Sequence, residues 1–187
     1  MAMVVGVSLL VPSASTAAGK AEGRPDLTVK LLSANGSGCP RGSAPPVGAN
    51  VLPTGAVAVR YGNFVVSGGD YRTCVVVVNM ATTADWTYTI PSVENRMWVE
   101  LDAGGTVRLG TSMWFTGFAW TVKDAKQVAG PLSNYWSTST APERPTWAPC
   151  GQSVNLAIAE TVRVAEASSN TASLITTTLD PPTWRRC

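Results

Sequence analysis

From Val154 to Val164 the chain reads VNLAIAETVRV, and the apolar residues fall at every second position. Val154, Leu156, Ile158, Val162 and Val164 share one side; Asn155, Thr161 and Arg163 share the other. Period two is the mark of a strand buried on one face. Only Glu160 interrupts the apolar side. The same alternation recurs along the chain. Trp86, Tyr88 and Ile90 alternate with threonines, which puts Trp86 in the core; Met97, Val99 and Leu101 alternate with Arg96, Trp98, Glu100 and Asp102. Val57, Val59 and Tyr61 alternate with Ala58 and Arg60, and Thr171 to Leu179 is rich in β-branched residues. Cys74 to Val78 (CVVVV) is apolar on both sides, as in a central strand.

Turn residues separate these runs at short spacing: Asn35-Gly36, Ser67-Gly68-Gly69-Asp70, Gly104-Gly105 and Gly130-Pro131. Asp102 to Thr106 has the composition of a hairpin loop joining the Met97–Asp102 strand to the next. Only Thr121 to Ala129, with Val122, Ala125 and Val128 at spacing three, admits a helix. Many short strands with frequent turns, and no fixed repeat, indicate an all-β fold: a single antiparallel two-sheet β-sandwich stapled by two disulfides.

The staples are Cys39, Cys74, Cys150 and Cys187, an even set that fits an oxidising compartment. Of three connectivities, Cys39–Cys74 and Cys150–Cys187 are preferred. The first anchors the Pro40–Pro53 loop, and the second ties back a C-terminal tail that Pro181-Pro182 keeps from extending a central strand. Residues 1–18 read as a cleaved secretion signal. Val4 to Val11 is apolar, and Thr16-Ala17-Ala18 supplies small residues for cleavage. Residues 19–26 read as a flexible segment and 27–187 as the sandwich domain. The expected location is extracellular.

Charged residues are 14% of the chain and the formal net charge is +2, with no basic patch interleaved with aromatics. Nucleic acid is therefore not an expected partner, nor is membrane insertion, since no later run approaches about eighteen apolar residues. Arg185-Arg186 reads as solvated surface. The sequence contains no histidine. That removes Ser-His-Asp and Cys-His catalysis and a histidine-ligated metal, while oxidised cysteines remove a thiol nucleophile and a thiolate zinc site. No cofactor, no metal and no catalytic residue is assigned. A carboxylate-pair glycoside hydrolase needs no histidine; Asp85, Glu94, Glu100 and Asp102 are its candidates, and solvated strand and turn positions account for them more simply.

Seven tryptophans are the stronger functional signal. Trp98 alternates with core positions and faces out. Trp98, Trp114, Trp136 and Tyr135 are the candidate binding residues, since exposed aromatics stack on the apolar faces of sugars and dock proteins. Trp120 belongs with the same group, while Trp147 and Trp184 read as cover for the second disulfide. The functional expectation is a secreted, non-catalytic module that binds a polysaccharide, cell wall or host surface. The alternative is a structural or protein-interaction component that binds a cell-surface protein and no small ligand.

Several motifs occur in order: Gly36-Ser37-Gly38-Cys39-Pro40, Cys74 opening an apolar strand, Leu101-Asp102-Ala103-Gly104, and Thr111 to Gly117 (TSMWFTG). Gly130-Pro131, Trp147-Ala148-Pro149-Cys150-Gly151 and Trp184-Arg185-Arg186-Cys187 follow. Together, over Leu27 to Cys187, they resemble the secreted family called domain of unknown function 4360, met in fungi and actinobacteria. Tyr71-Arg72-Thr73 departs from that family's lead-in to Cys74, and Met113-Trp114 stands where two tyrosines are usual. The resemblance implies an exported β domain and assigns no catalytic residue.

Overall fold

The computed structural model describes residues 25–118, 122–165 and 169–187. The signal-like segment and Trp120 lie outside them. Among the described residues there is no helix. The described residues form twelve strands, in two five-stranded antiparallel sheets and a small third one.

Sheet A has the order β1 (Thr28–Asn35), β4 (Tyr71–Ala81), β10 (Val154–Ala165), β7 (Thr106–Phe115), β8 (Val122–Ala129). Sheet B has the order β2 (Gly48–Val51), β3 (Val57–Ser67), β11 (Thr171–Leu179), β6 (Val93–Leu101), β9 (Leu132–Thr140). The third sheet pairs β5 (Trp86–Thr89) with β12 (Thr183–Arg186). The segment that admitted a helix is thus the edge strand β8. Its ladder to β7, from Val122 opposite Met113 to Ala129 opposite Thr106, overrides the weak spacing-three pattern.

The inner faces meet as alternation requires. Val154, Leu156, Ile158, Val162 and Val164 of β10 are buried, as are Cys74, Val76, Val78 and Met80 of β4. Opposite them lie Val57, Val59, Phe64 and Val66 of β3 and Val93, Met97, Val99 and Leu101 of β6. Burial of such side chains is worth about 1.5–3 kcal/mol each. The CVVVV run is internal to sheet A, flanked by β1 and β10, with Val75 and Val77 half-buried on the outer face.

The turns mostly carry the chain between sheets. Asp102 to Gly105 is not a hairpin loop: β6 belongs to sheet B and β7 to sheet A. Asn170 holds this corner, its Oδ1 accepting from the Asp102 amide at 2.8 Å. A bulge in β11 sets the inner face. Leu174 opposes Met97 but Thr176 opposes Arg96, so one residue is inserted between them. The inward set then changes from Ala172 and Leu174 to Thr177 and Leu179.

Both disulfides join the expected partners, Cys39 to Cys74 and Cys150 to Cys187, with Cα separations of 5.5 and 5.9 Å. Trp86 departs from expectation. Tyr88 and Ile90 are fully buried, but Trp86 is only half-buried, with the Arg186 guanidinium 4.8 Å from its ring centroid. Arg185 stacks likewise on Trp147 at 4.0 Å, and Trp184 packs on Tyr88 with centroids 5.4 Å apart. The two arginines are exposed, as expected of solvated surface, and also lie over these rings as cation–π partners of the tail.

Candidate functional site

The candidate aromatics fall on three different surfaces. Trp98 and Tyr135 are cross-strand partners on the outer face of sheet B. Their rings meet edge to face at 5.0 Å, and the Arg96 guanidinium covers the Tyr135 ring at 4.1 Å. The Trp98 indole N–H donates to Glu100 Oε1 at 3.1 Å. These rings are largely occupied by one another. Trp136 opposes the buried Met97 and is itself half-buried against the core. Trp114 stands alone of the four on the outer face of sheet A, between the inward Met113 and Phe115.

Glu94 and Glu100, the two carboxylate candidates within β6, do not form a hydrolytic pair with each other. Glu94 and Glu100 lie on one strand face six residues apart, about 20 Å at strand rise, well beyond the spacing of a glycosidase pair. Glu100 is engaged by Trp98 and Thr171, and Asp102 accepts from Ser169 at 2.5 Å.

An open trough of about 870 Å³ lies on the outer face of sheet A. Its floor and ends follow from register. One row across the sheet runs Tyr71, Arg163, Arg108, Gln127 from β4 to β8. The next runs Thr73, Thr161, Gly110, Ala125, and the third Val75, Ala159, Ser112, Lys123. A fourth row holds Val77, Ala157 and Trp114. The middle of the face is therefore built from small side chains. Tyr71, 63% exposed, lines the trough in the row at one end, and Trp114 stands one row beyond its lining at the other. Three steps of two residues separate those rows, about 20 Å.

Gly110 marks the low point. A Cβ built there would meet nothing closer than Thr161, at 3.8 Å. Its φ is not in the left-handed region, so neither backbone nor packing demands glycine here. Glycine weakens a strand interior and often marks a place where a ligand or another backbone comes close.

The charges around the trough are unevenly matched. Asp124, at the β8 edge, is held below the usual carboxylate range by the Lys126 ammonium 2.7 Å away, and also accepts from the Ala125 amide and Thr140. Asp70 lies 3.8 Å from Arg72 and accepts from the Tyr71 amide. Arg108 and Arg163 are exposed and directly opposite one another.

Glu160 is the other unusual group. It is fully buried at the centre of the sandwich, and burial pushes its carboxyl up to about 8 despite hydrogen bonds with Thr111 and Thr177 that pull the other way. Among the described residues no group of three or more metal-ligating side chains comes together.

Sequence reasoning named Trp114 as a candidate and did not anticipate the trough. Tyr71, Arg108, Gly110 and Arg163 lie on three strands, and only the β4–β10–β7 pairing brings them together.

Comparisons with solved structures find loosely similar folds. TmCBM61 in complex with β-1,4-galactotriose shares 10% identity over 86% of this chain and 88% of its own, with a TM-score of 0.31. The family 11 carbohydrate-binding module from Clostridium thermocellum shares 12% over 87% and 93%, with a TM-score of 0.30. TmCBM27, described for specific mannan recognition, shares 12% over 81% and 98%, with a TM-score of 0.34. The sugars named belong to those proteins. Comparison with curated proteins finds no match. The family model described as "Domain of unknown function (DUF4360)" matches residues 25–187, nearly all of the two-sheet sandwich, and the chain belongs to that family.

Proposed function

We propose that this protein is a secreted, non-catalytic module that binds polysaccharide along the outer face of sheet A. The observation that carries the reading is the trough itself. It is open along the strands, floored by Gly110, Ser112, Ala159 and Thr161, with Tyr71 in its lining at one end and Trp114 one row beyond its lining at the other. An extended sugar chain presents apolar ring faces to aromatics and hydroxyls to polar floor groups, and an open trough accepts it without enclosing its ends. The two disulfides fit an extracellular setting.

The test is titration of the protein with soluble plant and microbial polysaccharides, followed by tryptophan fluorescence and calorimetry. Binding by at least one polymer, weakened about tenfold by Tyr71→Ala or Trp114→Ala with the fold intact, supports the reading. Binding that survives both substitutions but fails with Trp98→Ala moves the site to sheet B. No binding to any polysaccharide leaves the protein-interaction alternative in possession.

A further inference from the structure

The row that closes one end of the trough contains a juxtaposition that folding alone does not favour. Arg108 of β7 and Arg163 of β10 are direct cross-strand partners. Like charges directly opposite on one sheet face are destabilising. The usual remedy is a carboxylate set between them, and among the described residues neither guanidinium has one within salt-bridge reach. The two acidic side chains nearest the trough in chain and register are already engaged, Asp70 with Arg72 and Asp124 with Lys126. Lys123, in the third row, adds another cation to the same lining. The full chain is nearly neutral, at +2, so this is a local concentration and not a reflection of bulk charge.

Resting on the polysaccharide reading above, we infer that the trough selects an acidic polymer, a polysaccharide whose sugar units carry carboxylates, and that Arg108 and Arg163 together receive one of those carboxylates. A guanidinium offers parallel N–H donors that match a carboxylate in two-point contact. Two of them across one ladder relieve their mutual repulsion when an anion sits between them. Tyr71, next in the same row, offers its ring to the sugar that bears the acid. Neutral sugars gain the aromatic contacts but leave the arginine pair uncompensated, which is the basis of selection.

The test compares polygalacturonate, the same polymer after chemical reduction of its carboxylates, and dextran sulfate, each titrated into the full-length protein by calorimetry. Polygalacturonate is expected to bind and the reduced polymer to bind at least tenfold more weakly. The affinity for polygalacturonate should fall as salt rises from low to physiological concentration, since exposed charge pairs are screened. Arg108→Gln and Arg163→Gln should each cost about tenfold, and Arg60→Gln, an exposed arginine on the outer face of sheet B, should cost nothing although it changes net charge equally. Equal binding of native and reduced polymer would overturn the acidic selection while sustaining the polysaccharide reading. Binding of dextran sulfate alone would overturn the carboxylate assignment. Failure of these polymers together with every neutral polysaccharide would remove both readings. Circular dichroism of each variant separates loss of binding from loss of fold.

Discussion

The carboxyl of Glu160, on sheet A, lies 3.2 Å from the hydroxyl of Thr177, on sheet B, and this contact crosses the middle of an otherwise apolar core. Thr177 also lies 2.6 Å from Asn95 Oδ1. Asn95 Nδ2 donates to Thr111 at 2.7 Å, and Thr111 donates to the other Glu160 oxygen at 2.8 Å. A hydroxyl has one proton to give. If Thr177 gives it to Asn95, Glu160 is satisfied at that oxygen only by carrying a proton of its own. Exchanging the oxygen and nitrogen of the Asn95 amide moves the shortfall to the Thr111 side and leaves the count unchanged. The network is complete with a neutral Glu160.

The pH dependence of stability follows. The folded-state value of about 8 lies above the ordinary 4.5, so the folded protein binds the extra proton between them. The stability this confers is fully present below about pH 4.5 and is lost as pH rises through 8, at roughly 1.4 kcal/mol per unit across that window. Tyr61, the other titratable group facing Glu160, is held well above its usual value by burial and by the Glu160 charge, so it does not reverse the trend. Glu160→Gln should keep near-native stability at pH 6 and flatten the slope between pH 6 and 8. Urea midpoints at several pH values check both. An unchanged slope in the variant would show that the proton resides elsewhere.

Gly110→Val separates the trough from the fold. The added Cβ makes only ordinary van der Waals contact, with Thr161 at 3.8 Å, and valine is a better strand former, so stability should rise by up to about 1 kcal/mol. Polysaccharide binding should be lost, because the branched side chain fills the trough floor. Thermal denaturation and calorimetry on the same sample make the comparison. A variant that binds as well as the parent would place the ligand elsewhere.

Trp98→Ala should cost only about 1 kcal/mol, since it removes a half-buried ring whose partners are Tyr135 and Glu100. Tyr88→Ala should cost about 3–5 kcal/mol, because that ring is fully buried against Phe115 and Trp184. Denaturant midpoints that fell equally would reverse the assignment of faces in β6.

Removal of the second disulfide should act through the tail. Cys150→Ser with Cys187→Ser opens a link across 37 residues, worth about 3–4 kcal/mol on chain entropy. The Arg185–Trp147 and Arg186–Trp86 stacks should keep β12 partly docked, so adding Arg185→Ala and Arg186→Ala should expose the tail further. Hydrogen exchange at residues 183–186 reports the difference, and exchange no faster than in the parent would show that β12 holds to β5 by its ladder alone.

The strands were legible because period two survives wherever one face is buried; β10 shows it over eleven residues, with Glu160 visible as the exception. The disulfide pairing matches the sequence expectation, although the segments the bridges close carry β2–β3 and β10–β11 and with them much of the core. Other features depended on partners far away in the chain. The β11 bulge that aims Thr177 at Glu160 is an offset against β6, and no residue type in TASLITTTL signals it. The corner at Asp102–Gly105 has the composition of a hairpin loop, because turn residues answer to local backbone geometry and not to which sheet comes next. Trp86 was placed in the core by alternation, yet it lies at the start of a short strand where Arg186 covers it from the other end of the chain. The trough was invisible for the same reason, since Arg108 and Arg163 become neighbours only through the β7–β10 register.

That strand order has a consequence for synthesis. β10 is the middle strand of sheet A and β11 the middle strand of sheet B, and they are among the last to leave the ribosome. A nascent chain that ends before Val154 holds the flanking strands of both sheets and the centre of neither. Such a chain has β4 and β7 with nothing to join them, and β3 and β6 likewise. Assembly of the two full sheets therefore waits until β10 and β11 have been made.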